Sequence, residues 1–355
     1  MHSRSSIQTR KAPSPTLKRN HSFSFWFFRI LICLAIAPIA LGVIGVIYQF
    51  IATKIDKHNY PPPGQMVDIG GYKLHLYSTG QGGPTVILDA LFPGTVSNWA
   101  WVQPEIAKTT RVCAYDRSGL GWSDSGPDPY DAEHQARELH DLLTKAGVPG
   151  PYILVGHSLG ALSVRMFASL YPDEVAGMVL IEGTNPDSWK RLGKPEGVGV
   201  DHNKLKVATF LSGLGIFRLG LIPSYSSDPD LPQRQRRELQ AFLNSTKSLK
   251  TICAVDATFS FALNQVRNAK GIGSKPLAIV LGSAGDGGNK QLKDLFTQQA
   301  QLSSNSLTIT IEGATHAGLV DNHHAASQTS AAILKVIEAV RKGQRISGSP
   351  ITVHR

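Results

Sequence analysis

The sequence predicts an α/β fold: a mostly parallel central sheet flanked by helices, with an inserted helical segment and one transmembrane helix ahead of it. Three observations predict it. Short apolar runs of strand length alternate with helix-length segments between residues 66 and 343. The stretch from about 186 to 273 breaks that alternation and reads as mainly helical, with no clear strand. Residues 30–52 form a run of 23 residues without a charge. The chain has 355 residues, 42 % hydrophobic and 17 % charged, which suits a globular protein with a real core.

The uncharged run, ILICLAIAPIALGVIGVIYQFIA, is long enough to span a membrane as a helix. At about 1.5 Å per residue it crosses a hydrocarbon core of roughly 30 Å. Phe23, Phe25, Trp26, Phe27 and Phe28 precede it, and Tyr48 and Phe50 lie near its far end, as interfacial aromatic belts do. Pro38 is tolerated in a membrane helix. Residues 1–29 carry six Lys or Arg and no acid. The positive-inside rule therefore predicts a single-pass protein, with this basic tail cytoplasmic and the folded domain on the far, extracytoplasmic side. A cleaved signal peptide is the competing reading. Its apolar region is usually only about 7–15 residues, and the cleavage-like Ala35-Ile36-Ala37 is followed at once by Pro38.

Residues 53–65 read as a linker, and the three successive prolines in HNYPPPGQ favour an extended spacer. The net charge is +10, but residues 1–57 hold eight Lys or Arg against Asp56 alone, which accounts for +7 of it. No basic stripe remains on the domain, so nucleic acid is not an expected partner. Cys33, Cys113 and Cys253 show no metal-site spacing, and no metal or organic cofactor is expected.

The domain then unfolds in order. Val67–Ser78 reads as a hairpin around Gly70-Gly71, and Thr85–Ala90 as an apolar strand. A short helix over Trp99–Thr109 precedes a strand over Arg111–Asp116. Asp131–Gly147 is a helix with an acidic N-cap and a glycine stop. Tyr152–Gly156 is a strand, Leu159–Tyr171 a helix stopped by Pro172, and Val175–Glu182 a strand. After the helical stretch come strand Pro276–Gly282, a helix over Lys290–Leu302, strand Leu307–Ile311 and a closing helix Ala325–Lys342. Continuous apolar strands separated by helices imply a parallel sheet covered on both faces. Residues 344–355 form a short, mostly polar tail.

Gly156-His157-Ser158-Leu159-Gly160 matches G-x-S-x-G, and its context gives the match weight. The pentapeptide follows the strand YILVG and opens the helix LGALSVRMFASLY. In such a turn the serine is strained and exposed above the sheet, while flanking glycines let neighbouring backbone pass closely. A serine hydroxyl needs a base. His316 lies on the loop leaving the last strand, ahead of its rivals His323 and His324. The acid that orients the base should follow a strand between the two. Asp286, in the loop GSAGDG, is the first candidate, Glu182 the alternative, and Asp321 a weaker one.

Together these residues resemble the α/β-hydrolase fold superfamily, in its serine esterase, lipase and aminopeptidase-like branch. The order Ser158, Asp286, His316 is the order that family uses. Tyr115–Asp124, YDRSGLGWSD, is similar to its D-R-x-G-x-G-x-S turn, to which we assign a structural role. The resemblance covers about residues 65–343 and implies that the helical stretch is a cap over the site. It implies hydrolysis of an ester, thioester or amide through an acyl-serine, with a small-molecule or lipid-like substrate. An aminopeptidase, which would need an acid in the pocket for the substrate amine, and a non-catalytic binding module are the alternatives. One element departs from the pattern. Leu91 stands where relatives place glycine, and alignment on Pro93-Gly94 puts the Phe92 N–H in the oxyanion hole beside that of Leu159.

Overall fold

The computed structural model describes residues 21–220, 229–284 and 289–346. A 39-residue helix, α1 (His21–Asn59), leads into a hairpin of β1 (Gln65–Asp68) and β2 (Lys73–Thr79). There follow β3 (Thr85–Asp89), α2 (Val102–Ala107), β4 (Val112–Tyr115), α3 (Ala132–Lys145), β5 (Tyr152–His157), α4 (Gly160–Leu170) and β6 (Val175–Ile181). Four helices come next: α5 (Ser188–Arg191), α6 (His202–Gly213), α7 (Gln233–Leu243) and α8 (Thr246–Arg267). The chain then returns through β7 (Leu277–Gly282), α9 (Lys290–Gln298), β8 (Ser306–Ile311), α10 (Gly318–Asp321) and α11 (His323–Lys342).

The eight strands lie in the order β1-β2-β4-β3-β5-β6-β7-β8. β1 and β2 pair antiparallel, as do β2 and β4, and all later pairs are parallel. Alternation within each strand builds two cores. Ile87, Leu154, Met178 and Ile279 join one with Phe167 of α4 and Phe259 of α8. Val86, Val155, Val179 and Val280 join the other with Trp99 and with Ile333 and Ile337 of α11. The helical stretch after β6 follows from this order. β6 and β7 are sheet neighbours, so α5–α8 are an insertion between them, and the mostly parallel sheet expected from sequence is present.

Among the described residues α1 is the one helix long and apolar enough to cross a membrane. It does not end at residue 52. It continues to Asn59, and the segment expected to be an extended spacer is strapped to the domain. Trp122 Nε1 donates to Tyr60 O at 2.8 Å, and His75 Nε2 reaches Pro63 O. Proline carbonyls left open by the missing N–H ladder supply one of these acceptors, which composition alone does not reveal.

Candidate active site

The tight turn after β5 holds Ser158 at φ 54°, a left-handed conformation rare for serine. Its two glycines are required by close approaches. A Cβ on Gly156 would lie 2.8 Å from the Ala161 backbone, and one on Gly160 would lie 2.5 Å from Asp89 O. Ser158 N donates to Ile181 O at 3.0 Å, and Thr184 N donates to Ser158 O at 2.9 Å, so the turn is clamped to the end of β6. α4 starts directly behind it, aiming its first N–H groups at the space beside Ser158.

His316 sits on the loop after β8. Its Nδ1 is 2.6 Å from Glu182 Oε2. Glu182 is fully buried at the end of β6, whereas the His316 side chain is 29 % exposed. Glu182 also holds a left-handed conformation, φ 37°, and its Oε1 accepts the Gly282 N–H at 2.8 Å. This bond assigns the proton to Nδ1 of His316 and leaves Nε2 as the acceptor. The first-choice acid, Asp286, lies outside the described residues. The carboxylate brought to His316 is the alternative, Glu182. The sheet order explains how it reaches: β6 lies between β5, which leads into Ser158, and β7, and Gly282, without a side chain, lets Glu182 in.

Ser158, Glu182 and His316 line one cavity of about 370 Å³, together with Phe92, Leu159, Trp189, Leu192, Lys194, Leu292 and Phe296. The other histidines and acids considered sit elsewhere. His323 packs edge-on against Trp101 with ring centroids 4.5 Å apart, and His324 contacts Gln328. Asp321 accepts Asn98 Nδ2 at 3.1 Å.

Residues that motif reasoning passed over hold the site in place. His157 donates Nε2–H to His316 O at 3.0 Å, and its ring lies 4.9 Å from that of His316. Burial, with His316 adding to it, pushes the His157 imidazole well below its ordinary range, so it stays neutral. Asp89, at the end of β3, accepts Arg117 Nε and Tyr115 OH, each at 2.8 Å. Arg117 also reaches Ala90 O, fixing the segment that carries Phe92. Position x of the G-x-S-x-G turn and the arginine of the D-R turn were the only sequence signals for these two.

The D-R turn itself is structural. Asp116 Oδ1 accepts Val96 N at 2.9 Å, and Oδ2 accepts Trp122 N at 3.0 Å and His75 Nδ1 at 2.9 Å. The cap is tied to the same turn by Lys247 Nζ, which donates to Gly121 O and Ser123 O at 2.8 and 2.6 Å. Burial lowers that ammonium to about 8.

Known proteins agree with this architecture. The family described as alpha/beta hydrolase fold matches residues 84–199. An uncharacterized protein of Schizosaccharomyces pombe is 35 % identical over 118 residues, 33 % of this chain and 21 % of its own length. A putative carbamate hydrolase of Cronobacter turicensis is 32 % identical over 113 residues, 32 % of this chain and 40 % of its own. The first curated relatives are matched over 21 %, 61 % and 54 % of their lengths. A thermophilic esterase from Thermogutta terrifontis superposes with a TM-score of 0.56 at 19 % identity, covering 78 % of this chain and 98 % of that one, a likeness of fold. With the matched segment running from β3 through the Ser158 turn into the start of the helical insertion, and solved structures of the same architecture, the chain has the α/β-hydrolase fold.

Proposed function

We propose that this protein is a membrane-anchored serine hydrolase that cleaves an ester, thioester or amide through an acyl-serine intermediate, with a carboxylic ester the best fit. The observation that carries the reading is the 2.6 Å bond from His316 Nδ1 to buried Glu182, made in a cavity that also holds the strained Ser158. In this mechanism His316 Nε2 takes the Ser158 proton as Oγ attacks the carbonyl carbon. Glu182 stabilises the imidazolium and fixes its tautomer. The N–H groups of Leu159 and Phe92 hold the oxyanion. His316 then returns the proton to the leaving group, and water, activated by the same base, releases the acid.

The cavity wall supports an acyl group with apolar character, since Phe92, Trp189, Leu192, Leu292 and Phe296 line it. An aminopeptidase would need a free acid there. Among the described lining residues Glu182 is the acid, and it is committed to His316. Glu196 pairs with Arg267, Asp256 with His202, and Glu238 with Arg234 and Ser97. Asp201 caps α6, Asp230 accepts from Asn322, and Asp228 lies outside the described residues. In this reading α1 is the anchor, with the basic N-terminal tail cytoplasmic and the catalytic domain beyond the membrane.

The test is labelling of the full-length protein in detergent with a fluorophosphonate probe, beside Ser158→Ala. The expected result is labelling of the parent that vanishes in the variant. A folded parent that takes up no label would overturn the acyl-serine mechanism.

A further inference from the structure

The cap is attached to the membrane helix along one face. A Cβ added to Gly45 of α1 would meet Leu214 O at 2.6 Å, and one on Gly215 would meet the Tyr48 ring at 2.7 Å. Gln49, 6 % exposed, donates to Asn244 O at 3.2 Å and accepts Arg218 Nε at 2.7 Å. Arg218 Nη1 pairs with Asp56 at 2.6 Å, and Nη2 donates to Thr53 at 3.3 Å. Gly45, Gln49, Thr53 and Asp56 recur at three- and four-residue spacing, so they form one stripe. With the strap at Tyr60 and Pro63, these contacts fix the domain against the helix.

That attachment sets a depth. Gly45 lies seven residues before Ala52, the end of the uncharged run, which is about 10 Å along the helix axis. Leu214 and Gly215 therefore stand just inside the acyl layer, about 10 Å below that end, within the depth to which an interfacial helix sinks its apolar face. The exposed large hydrophobic side chains agree. Among the described residues, every one outside α1 belongs to the cap: Val200, Val207, Phe210, Leu219 and Phe261. Val207 and Phe210 are three apart on α6, 58 % and 67 % exposed, and share a face of the helix whose end abuts α1. The exposed cations Lys190, Arg191, Lys194, Lys204 and Lys206 lie on the same insertion, complementary to anionic headgroups. Arg218 places its guanidinium beside Asp56, at the polar edge, as an interfacial arginine does.

We propose that the cap docks on the bilayer beside α1, with Val207 and Phe210 of α6 and Leu219 immersed at the acyl–headgroup boundary. The proposal rests on α1 being a membrane anchor. It also gives the candidate site a short route to the membrane. Val198 and Gly199 line the cavity, α6 begins three residues later, and its twelve residues reach α1 over roughly 18 Å.

The test uses the full-length protein in vesicles of phosphatidylcholine and phosphatidylglycerol. An environment-sensitive fluorophore is attached to single cysteines in a Cys33→Ala, Cys113→Ala, Cys253→Ala background. The positions are Phe210→Cys and Val207→Cys on the cap, Leu41→Cys at mid-span, and the exposed Glu338→Cys on α11, which packs on a face of the sheet and not in the cap. Spin-labelled lipids quench at a shallow or a deep position. The expected result is that the cap labels lose about half their emission or more to the shallow quencher, Leu41→Cys to the deep one, and Glu338→Cys to neither. Quenching at Leu41→Cys with none on the cap would overturn the docking and leave the anchor standing. No quenching at Leu41→Cys would overturn the anchor and the docking with it.

Discussion

His316 and His75 are built alike and used differently. Each gives Nδ1 to a buried carboxylate, Glu182 at 2.6 Å and Asp116 at 2.9 Å. The two pairs differ in where Nε2 faces. That of His75 is spent on Pro63 O, beside the Trp122 ring, and the His75 and Asp116 side chains are both fully buried. That of His316 belongs to a side chain 29 % exposed on the cavity of Ser158. A histidine–carboxylate bond is thus no mark of catalysis. What distinguishes the candidate site is a histidine facing a cavity that also holds a serine in a strained conformation.

The sharpest way to break this comparison is to remove the carboxylates one at a time. Glu182→Gln should lower kcat by about 10³- to 10⁴-fold, because the amide no longer holds the tautomer or stabilises the imidazolium. Asp286→Asn should leave kcat within about threefold of the parent. Turnover of a soluble short-chain ester by both variants decides it. The reverse ranking would make Glu182 a structural strut and Asp286 the acid.

The same pair shows what was legible from sequence. Ser158 is legible as a candidate because strand, turn and helix are contiguous, and His316 as a candidate because it follows the last strand. The choice between carboxylates stays open in the sequence, because several of them follow strands, and it takes the sheet order and the missing side chain of Gly282 to bring Glu182 to Nδ1. The Asp116 turn could be read as structural. Its partners Val96 and His75 lie 20 and 41 residues away, and such contacts have no local signature. Three prolines suggest an extended spacer, and the carbonyl of one is also a fixed acceptor in the fold. The helical character of the cap was readable, but its seat on α1 depends on Gly45 and Gly215, glycines that periodicity does not single out.

Breaking the other pair should act on stability instead of chemistry. Asp116→Ala removes the acceptor for His75, Val96 and Trp122 together. It strands a buried imidazole, so the expected loss is about 3–5 kcal/mol. Thermal melting of the detergent-solubilised protein reads that loss. Fluorophosphonate labelling per folded molecule should remain within about twofold, since Asp116 does not line the candidate cavity. A fall in labelling rate as deep as that of Glu182→Gln, in protein still folded, would mean that the two pairs are not separable.

The smallest effect has a sign that separates two buried histidines. Burial pulls the His75 imidazole down, but the bond to Asp116, its charge and the Pro63 carbonyl outweigh this and raise it above 6.5. Its stabilisation is fully present below about pH 6.5 and is lost as pH rises through the raised folded value. His157 runs the other way. Burial lowers it, so the unfolded chain binds a proton that the native state refuses, and stability falls as pH drops below about 6.5. Each slope is at most about 1.4 kcal/mol per pH unit. Urea melts of the parent, His75→Gln and His157→Gln across this range should therefore diverge in opposite senses. The deficit of His75→Gln relative to the parent should shrink on going alkaline, and that of His157→Gln should shrink on going acid. Parallel curves would show that neither imidazole changes its proton affinity on folding. The contrast between a charged clamp at Pro63 and a neutral prop behind His316 would then have to be abandoned.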